Sequence, residues 1–406
     1  MTVDGRAVPP EADRGRMRRE RHDRLQRELA AQGLDGLLLL GTSAVDYATG
    51  ARAPGSDSGR AALLRSVAVV VAGAAHPHLF TPYPEGAPPD LPADHLHPAA
   101  VPDLDDGAAA LAAAVRDLLG GGAVRLGGDE VPHPLGRALA GTGVTLVPAS
   151  AVLGPAKLVK TVDEIACIRS AQHVNEQAML DVAPLARPGA RQTDLSARFL
   201  RRAVELGAEL NGIDPIWQVM PRSRADGPWT VHGDVAFPTA TARRVLAEGD
   251  VIWVDSGLHV GGYASDFGRT WIVGEDPRPT PRQQVQFDRW RAVMDAVLVR
   301  CKPGASALDL ARAATAAAGG MRPWLEHFYL AHSVGTDSAE MPMIGTDLGP
   351  DFDARQVLVP GMVLVYEPVI WDDGAAGYRA EDIVAVTDDG WMPLSDHPHD
   401  PFGAVA

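Results

Sequence analysis

The chain has 406 residues, 46% of them hydrophobic and 22% charged, with a formal net charge of −15. That length exceeds one ordinary core and predicts two domains. No apolar run approaches the roughly 20 residues of a membrane span, and the acidic balance repels a phosphate backbone, so neither a membrane nor a nucleic acid is expected as a partner.

The first 33 residues are polar and charged, without the apolar core of a secretory leader. Their periodicity predicts an amphipathic helix over about 13–32. From residue 34 to about 150 the apolar stretches "DGLLLL", "SVAVVVAG", "AVRLGG" and "GVTLVPA" alternate with the alanine-rich "DGAAALAAAVRDLLGGG", the pattern of a small α/β domain. A proline followed by a charged helical pattern, between Pro155 and Thr161, marks a boundary, and domains are expected over 1–156 and 157–406. Cys167 and Cys301 form no C-x-x-C pair, which argues against a disulfide framework or a thiolate zinc site and fits a reducing cytoplasm.

The second part of the chain repeats itself. "PGARQTDL" starts at Pro188 and "PGASALDL" at Pro303, 115 positions on, each opening a helix. "GDVIWVD" (Gly249 to Asp255) and "GMVLVYE" (Gly361 to Glu367) stand 112 apart, and Asp266 and Glu381 are again separated by 115. Solenoid periods run to only about 20–50 residues, so this offset predicts a duplicated half-domain whose two halves close face to face and bring the four acids together.

Asp255 and Glu367 are each expected at the end of an apolar strand, where a bare carboxylate is costly unless a cation or hydrogen-bond donors receive it. Four such acids in a small volume raise one another's pKa, and divalent cations are the usual way to neutralise them. With His332 of "AHSVGTDSAEMP" as one imidazole, the set favours manganese, iron, cobalt or zinc over calcium or magnesium.

Together "VDSGLHVGGYASDFGRT", "AHSVGTDSAEMP", "VLVYEPV" and "GYRAEDIVAVT" resemble the pita-bread metallohydrolase family of aminopeptidase P, prolidase and creatinase, from about residue 157 to 393. Five acid and histidine positions follow in order with spacings of 11, 66, 35 and 14. The resemblance implies an α+β protein, with a smaller creatinase-type α/β domain (1–156) ahead of a pita-bread catalytic domain of pseudo-two-fold halves (157–406). It implies a site for one or two divalent transition-metal ions, with Asp255 as a chelating ligand, Asp266 and Glu381 as bridges, His332 as the imidazole, and Glu367 as ligand and proton shuttle. Arg379 and Thr270 fall where the family orients its carboxylates. In hydrolytic members the ions acidify water and polarise the scissile carbonyl.

Two positions depart from the family's peptidases. A histidine about 17 residues before the first aspartate is replaced by Pro238, which follows Phe237, and the histidine before Glu340 is replaced by Ala339. Neither replacement can transfer a proton, and one lost oxyanion donor costs roughly 3 kcal/mol, so ordinary X-Pro peptidase activity is not expected. The form "HSVGTDSAEMPMI" is similar to the subset containing ectoine hydrolase and the dimethylsulfoniopropionate lyase. His232 is the candidate replacement base. Tyr263, Trp217, Trp229 and Trp371 are candidate walls for a small cationic substrate, and Glu340 is a candidate substrate contact. Arg60, with Arg52 and Arg65, lies in a stretch that in creatinase-like dimers reaches the partner's site and suits a carboxylate. The resulting expectation is a cytoplasmic homodimer that hydrolyses a C–N bond of a small non-standard amide or modified amino acid. The alternative is a non-hydrolytic metal-dependent lyase or isomerase acting on a small polar metabolite.

Overall fold

The computed structural model describes residues 2–3, 6–7, 11–52, 64–226, 242–400 and 402–403. It resolves into two compact units, one over Ala12–Asp163 and one built mainly on Glu164–Ala406. No helix among the described residues is long and apolar enough to cross a membrane.

The first unit opens with α1 (Arg14–Gln32). The Asp13 side chain accepts from the Arg16 N–H at its start, and Gly33 closes it in the left-handed region at φ 60°. Its Met17, Leu25 and Leu29 are buried. Six strands follow: β1 (Gly36–Leu39), β2 (Val67–Val71), β3 (His78–Phe80), β4 (Leu96–His97), β5 (Val124–Asp129) and β6 (Val144–Pro148). They lie in the order β4-β3-β2-β1-β5-β6, with β1–β5, β5–β6 and β3–β4 parallel and the remaining pairs antiparallel. Alternate residues of β1 serve different cores, Leu37 and Leu39 on one side and Leu38 on the other. The helices α2 (Thr42–Thr49), α3 (Asp105–Leu119), α4 (His133–Gly141) and α5 (Ser150–Leu158) supply the covering apolar faces.

The second unit contains α6 (Val162–Val182), α7 (Gln192–Glu205), β7 (Leu210–Val219), β8 (Val251–Val260), β9 (Tyr263–Ala264), β10 (Phe267–Ile272), α8 (Pro281–Arg300), α9 (Ala307–Ala317), β11 (Ala331–Ser333), β12 (Glu340–Ile344), α10 (Pro350–Arg355), β13 (Val363–Tyr366), β14 (Val369–Asp372), β15 (Ala376–Arg379), β16 (Asp382–Val386) and β17 (Trp391–Pro393). In one sheet β8 pairs antiparallel with β7, β9 and β10; a second runs β12-β11-β13-β16-β17, and β14 and β15 form a hairpin. The duplication is visible in the backbone. Asp194 accepts from the Arg191 N–H (3.1 Å) and Asp309 from the Ser306 N–H (2.9 Å), each capping its own helix. Gly189 donates to the Leu246 carbonyl and Gly304 to that of Leu358, both at 2.9 Å.

One local expectation is corrected. Asp255 does not end its strand, because β8 continues to Val260. Register shifts against β7 at Asp255, Gly257 and Leu258 bend the strand there, so a break in the pairing, and not a strand end, marks the acid.

On the outer strands of the first unit His78 stacks flat on His95 (4.0 Å), and its Nδ1 lies 3.0 Å from His97 Nε2. His97 in turn stacks on Phe80 (4.4 Å), and His76 meets His95 edge-on. Burial, then the neighbouring His95 and His97, push His78 down to about 4, against the pull of Asp94. Between its ordinary value of 6.5 and about 4 the unfolded chain binds the proton and the folded chain does not. Stability from this group is therefore fully present above the upper value and declines as pH falls through the window. Thermal melts of the wild type and of His78→Gln at a series of pH values check this: the variant's midpoint should fall less on acidification from about pH 7 to about pH 5.

Candidate metal centre

Both halves of the second unit deliver acids to one place. Asp255 stands on β8, Asp266 directly before β10, His332 on β11, Glu367 directly after β13 and Glu381 directly before β16. All five are at most 5% exposed. Asp255 faces Gly268 across the ladder, and the Glu381 N–H donates to the Gly268 carbonyl (2.9 Å). A Cβ added at Gly268 would fall 2.4 Å from Glu381 Cδ, so glycine permits this approach of the two halves.

One ligand atom from each of Asp255, Asp266 and Glu381 lies within 4.8 Å of the other two. Asp255 Oδ1, Asp266 Oδ1 and Glu381 Oε2 are buried with no hydrogen-bond partner among the described residues. Buried oxygens of this kind are rarely left unpaired. His332 Nδ1 is 2.9 Å from the Ser333 carbonyl, which can only accept, so Nδ1 carries the hydrogen. Nε2 then presents a lone pair to Asp266 Oδ2 at 3.1 Å and Glu367 Oε1 at 3.6 Å, an arrangement that requires a proton or a cation between them.

Arg379 ties the acids together. Its Nη1 donates to Asp255 Oδ2 (2.9 Å) and its Nη2 to Glu367 Oε2 (2.6 Å), and Nη2 also contacts Glu381. Thr270 grips Arg379 and not a carboxylate: its hydroxyl donates to the Arg379 carbonyl (2.7 Å) and accepts from the Arg379 N–H (2.9 Å). With all four carboxylates ionised, this guanidinium would leave three formal negative charges in the centre among the described residues. Burial, then Asp255 and Glu367, hold Asp266 well above the usual carboxylate range. Burial likewise raises Glu381, where Asp266 and Asp255 add to it and Arg379 opposes it. Glu367 is pushed up to about 8 by burial, with Arg379 acting against it and Glu381 adding to it. Oxygen donors with one imidazole and a surplus of negative charge fit a divalent transition-metal cation.

Tyr329, which no sequence pattern marked, belongs to this environment. Its half-buried ring meets His332 edge-on at 5.1 Å, and burial, then Glu367 and Asp266, raise its hydroxyl well above the ordinary value.

The remaining candidates are dispersed. Tyr263 is buried and donates to Glu164 (3.0 Å). Trp217 sits in the core with Phe199 and Trp271, its indole N–H on Ser196 (2.9 Å). Trp371 packs edge-on against Trp253. Glu340 stands opposite Ser333 on β12 and accepts from the Asp337 N–H (3.1 Å), at the end of the loop that carries Ala339. In the first unit Arg65 pairs with Glu130 (2.9 Å) and the Arg52 N–H donates to the Gly86 carbonyl. Arg60, Trp229, His232, Phe237 and Pro238 lie outside the described residues.

The sequence model of metallopeptidase family M24 matches residues 166–388, more than half of the chain. The chain belongs to metallopeptidase family M24. Metallopeptidases of this family work with divalent metal ions, and the acid cluster falls within the matched span. This M24 chain is similar to the probable dipeptidase PepE of Mycobacterium tuberculosis (strain ATCC 25618 / H37Rv), 32% identical over 273 residues that span 66% of this chain and 65% of that one. It is also similar to the Xaa-Pro dipeptidase of Pyrococcus furiosus, 27% identical over 246 residues, 60% of this chain and 65% of that one. The matches thus span just under two thirds of the length of these curated relatives. Among solved structures, dipeptidase PepE from Mycobacterium ulcerans superposes with a TM-score of 0.71 at 23% identity, over 96% of this chain and 98% of that one. The prolidase from Thermococcus sibiricus does so with 0.74 at 20% identity, over 95% and 98%. These similarities bear out the two-domain α+β pita-bread fold.

Replacing Asp266 by Asn removes a carboxylate whose ionised form is disfavoured by burial and by Asp255 and Glu367. The metal-free variant should melt roughly 2–4 °C above the metal-free wild type, equivalent to about 1 kcal/mol. Added manganese should reverse the order, stabilising the wild type by about 2.7 kcal/mol at a hundredfold excess over Kd and leaving the variant unchanged. Differential scanning calorimetry with and without chelator reads both.

Proposed function

We propose that this M24 chain is a metal-dependent hydrolase that cleaves a C–N bond in a small non-standard amide or modified amino acid. The observation that carries the reading is the set of oxygens on Asp255, Asp266 and Glu381 without a hydrogen-bond partner among the described residues, within a buried cluster of acids. Asp255, Asp266, His332, Glu367 and Glu381 would hold one or two ions of manganese, iron, cobalt or zinc. A bound cation supplies positive charge that polarises a carbonyl oxygen and acidifies water.

The chain's own residues have separable tasks in this reading. Glu367 has Oε2 fixed by Arg379 and Oε1 turned toward His332, a placement that suits it to take a proton from water and return it to the leaving nitrogen. Arg379, held by Thr270, keeps Asp255, Glu367 and Glu381 in register. Tyr329 keeps its hydroxyl hydrogen and can donate it to a substrate. Glu340, Tyr263 and the replacement base His232, with Arg60 reaching in from the other protomer of a homodimer, complete the proposed substrate set.

Ala339 and Pro238, in place of two imidazoles, support a substrate other than the Xaa-Pro dipeptides named for some of the relatives. They support the affinity with the ectoine hydrolase and dimethylsulfoniopropionate lyase subset. The same reading places a creatinase-type domain at 1–156 and the catalytic domain at 157–406, in a homodimer of the cytoplasm, where the buried thiols of Cys167 and Cys301 are at home.

Metal analysis of protein purified without chelator should find one to two transition-metal ions per chain. A panel of small amides and modified amino acids should be turned over with heavy-oxygen label from water entering the product; product without label would replace hydrolysis by elimination. Ala339→His should raise kcat/KM for an X-Pro dipeptide by at least about tenfold. Efficient cleavage of that dipeptide by the unaltered chain would overturn the substrate assignment.

A further inference from the structure

Behind the acids, α6 turns a polar face inward. Gln172, Asn175 and Glu176 stand three and four residues apart on one side of the helix and are at most 1% exposed. Asn175 Nδ2 donates to the Ser256 carbonyl (2.8 Å) and to Ser265 Oγ (3.0 Å), and its Oδ1 accepts from the Ser256 hydroxyl (2.7 Å). Ser256 directly follows Asp255, and Ser265 directly precedes Asp266. Gln172 Oε1 accepts from the Asp266 N–H itself (3.1 Å), while its Nε2 donates to Ser395 (3.3 Å) and to Glu176 (3.4 Å).

The partners fix which way each amide points. A backbone carbonyl can receive only Nδ2 of Asn175, and a backbone N–H can be received only by Oε1 of Gln172. The contact falls at the break in β8: β7 pairs with Asp255 and then with Gly257, while Ser256 pairs with Phe267 of β10 and its carbonyl accepts from Asn175. Ser265 Oγ also accepts from the Leu258 N–H (3.0 Å), so one small network spans the bend from Asp255 to Leu258 and the approach to Asp266.

We propose that Asn175, assisted by Gln172, is a positioning residue for the metal centre: it sets the separation of Asp255 from Asp266, and with it the affinity for the cation. The proposal rests on the reading that these acids hold a cation, but Asn175 itself is neither a ligand nor a group that touches substrate. A clamp of this kind controls where the two carboxylates stand without contributing an electron pair. Its loss should therefore appear as weakened binding and a distorted ligand field even though all five ligands remain.

The test is calorimetric titration of metal-free full-length protein with manganese and cobalt, together with the visible spectrum of the cobalt-loaded form, for the wild type, Asn175→Ala and Ser256→Ala. The expected result is a Kd raised roughly 10–100-fold in Asn175→Ala, with shifted cobalt absorption bands. Ser256→Ala, which removes a single hydroxyl donor, should show a smaller change in the same direction, and it carries the test should Asn175→Ala fail to fold. A variant that melts lower with and without metal by the same amount, with wild-type Kd and wild-type bands, would reduce Asn175 to a structural residue and overturn the proposal. Wild-type protein that binds neither cation would instead overturn the metal reading on which it stands.

Discussion

The constraint on which this structure turns is a cluster of acids that cannot satisfy itself. Asp255, Asp266, Glu367 and Glu381 are withdrawn from water and face one guanidinium, that of Arg379. Burial of an unpaired charge costs several kcal/mol per ion, and like charges a few ångströms apart raise that cost. A fold selected for stability alone would place apolar side chains here. That Asp255 Oδ1, Asp266 Oδ1 and Glu381 Oε2 have no partner among the described residues is intelligible if part of the native stability is supplied by a cation.

The duplicated architecture is what makes such a centre possible. Each half supplies a strand with an acid at or beside it and a second acid one strand further on, so closing the halves brings four carboxylates together from four separate stretches of chain. Their spacing depends on contacts between the halves. Gly268 lets Glu381 approach the strand that carries Asp255, and the exchange of hydrogen bonds between Thr270 and Arg379 locks β10 to β15. A cation–π contact with Trp253, at 5.8 Å, adds to what holds the Arg379 guanidinium in place.

Much of this was legible in the sequence, and for a physical reason. Duplication leaves a fixed offset, and acids within apolar runs such as "VIWVD" and "VLVYE" stand out against a background that admits few charges. Most strands of the first unit were legible as apolar runs, but β3 and β4 were not: at three and two residues, with one histidine in each, they carry no apolar run. The continuation of β8 beyond Asp255 was missed because a bulge is a property of the pairing and leaves no periodic trace. Tyr329 was hidden because an aromatic residue in an apolar run reads as core, and only the fold shows that its ring meets His332. Asn175 was likewise invisible, since its partners lie 81 and 90 positions away.

The two halves of the motif "AHSVGTDSAEMP" also obey different rules. His332 sits on β11, between β12 and β13, buried with its Nε2 facing two acids and its Nδ1 on the Ser333 carbonyl, so its identity is constrained by the packing and hydrogen bonding of a central strand as well as by chemistry. Ala339 occupies the loop between β11 and β12, where backbone hydrogen bonds such as that from Gly335 to the Asp337 carbonyl (3.1 Å) hold the turn whatever the neighbouring side chain. A loop of that kind tolerates substitution, and it is where binding specificity is ordinarily carried. An M24 scaffold can therefore keep the charge arrangement that binds and activates while altering the groups that select what is activated. Where each half of the motif lies in the fold accords with the proposal that its metal half is kept and its substrate half altered.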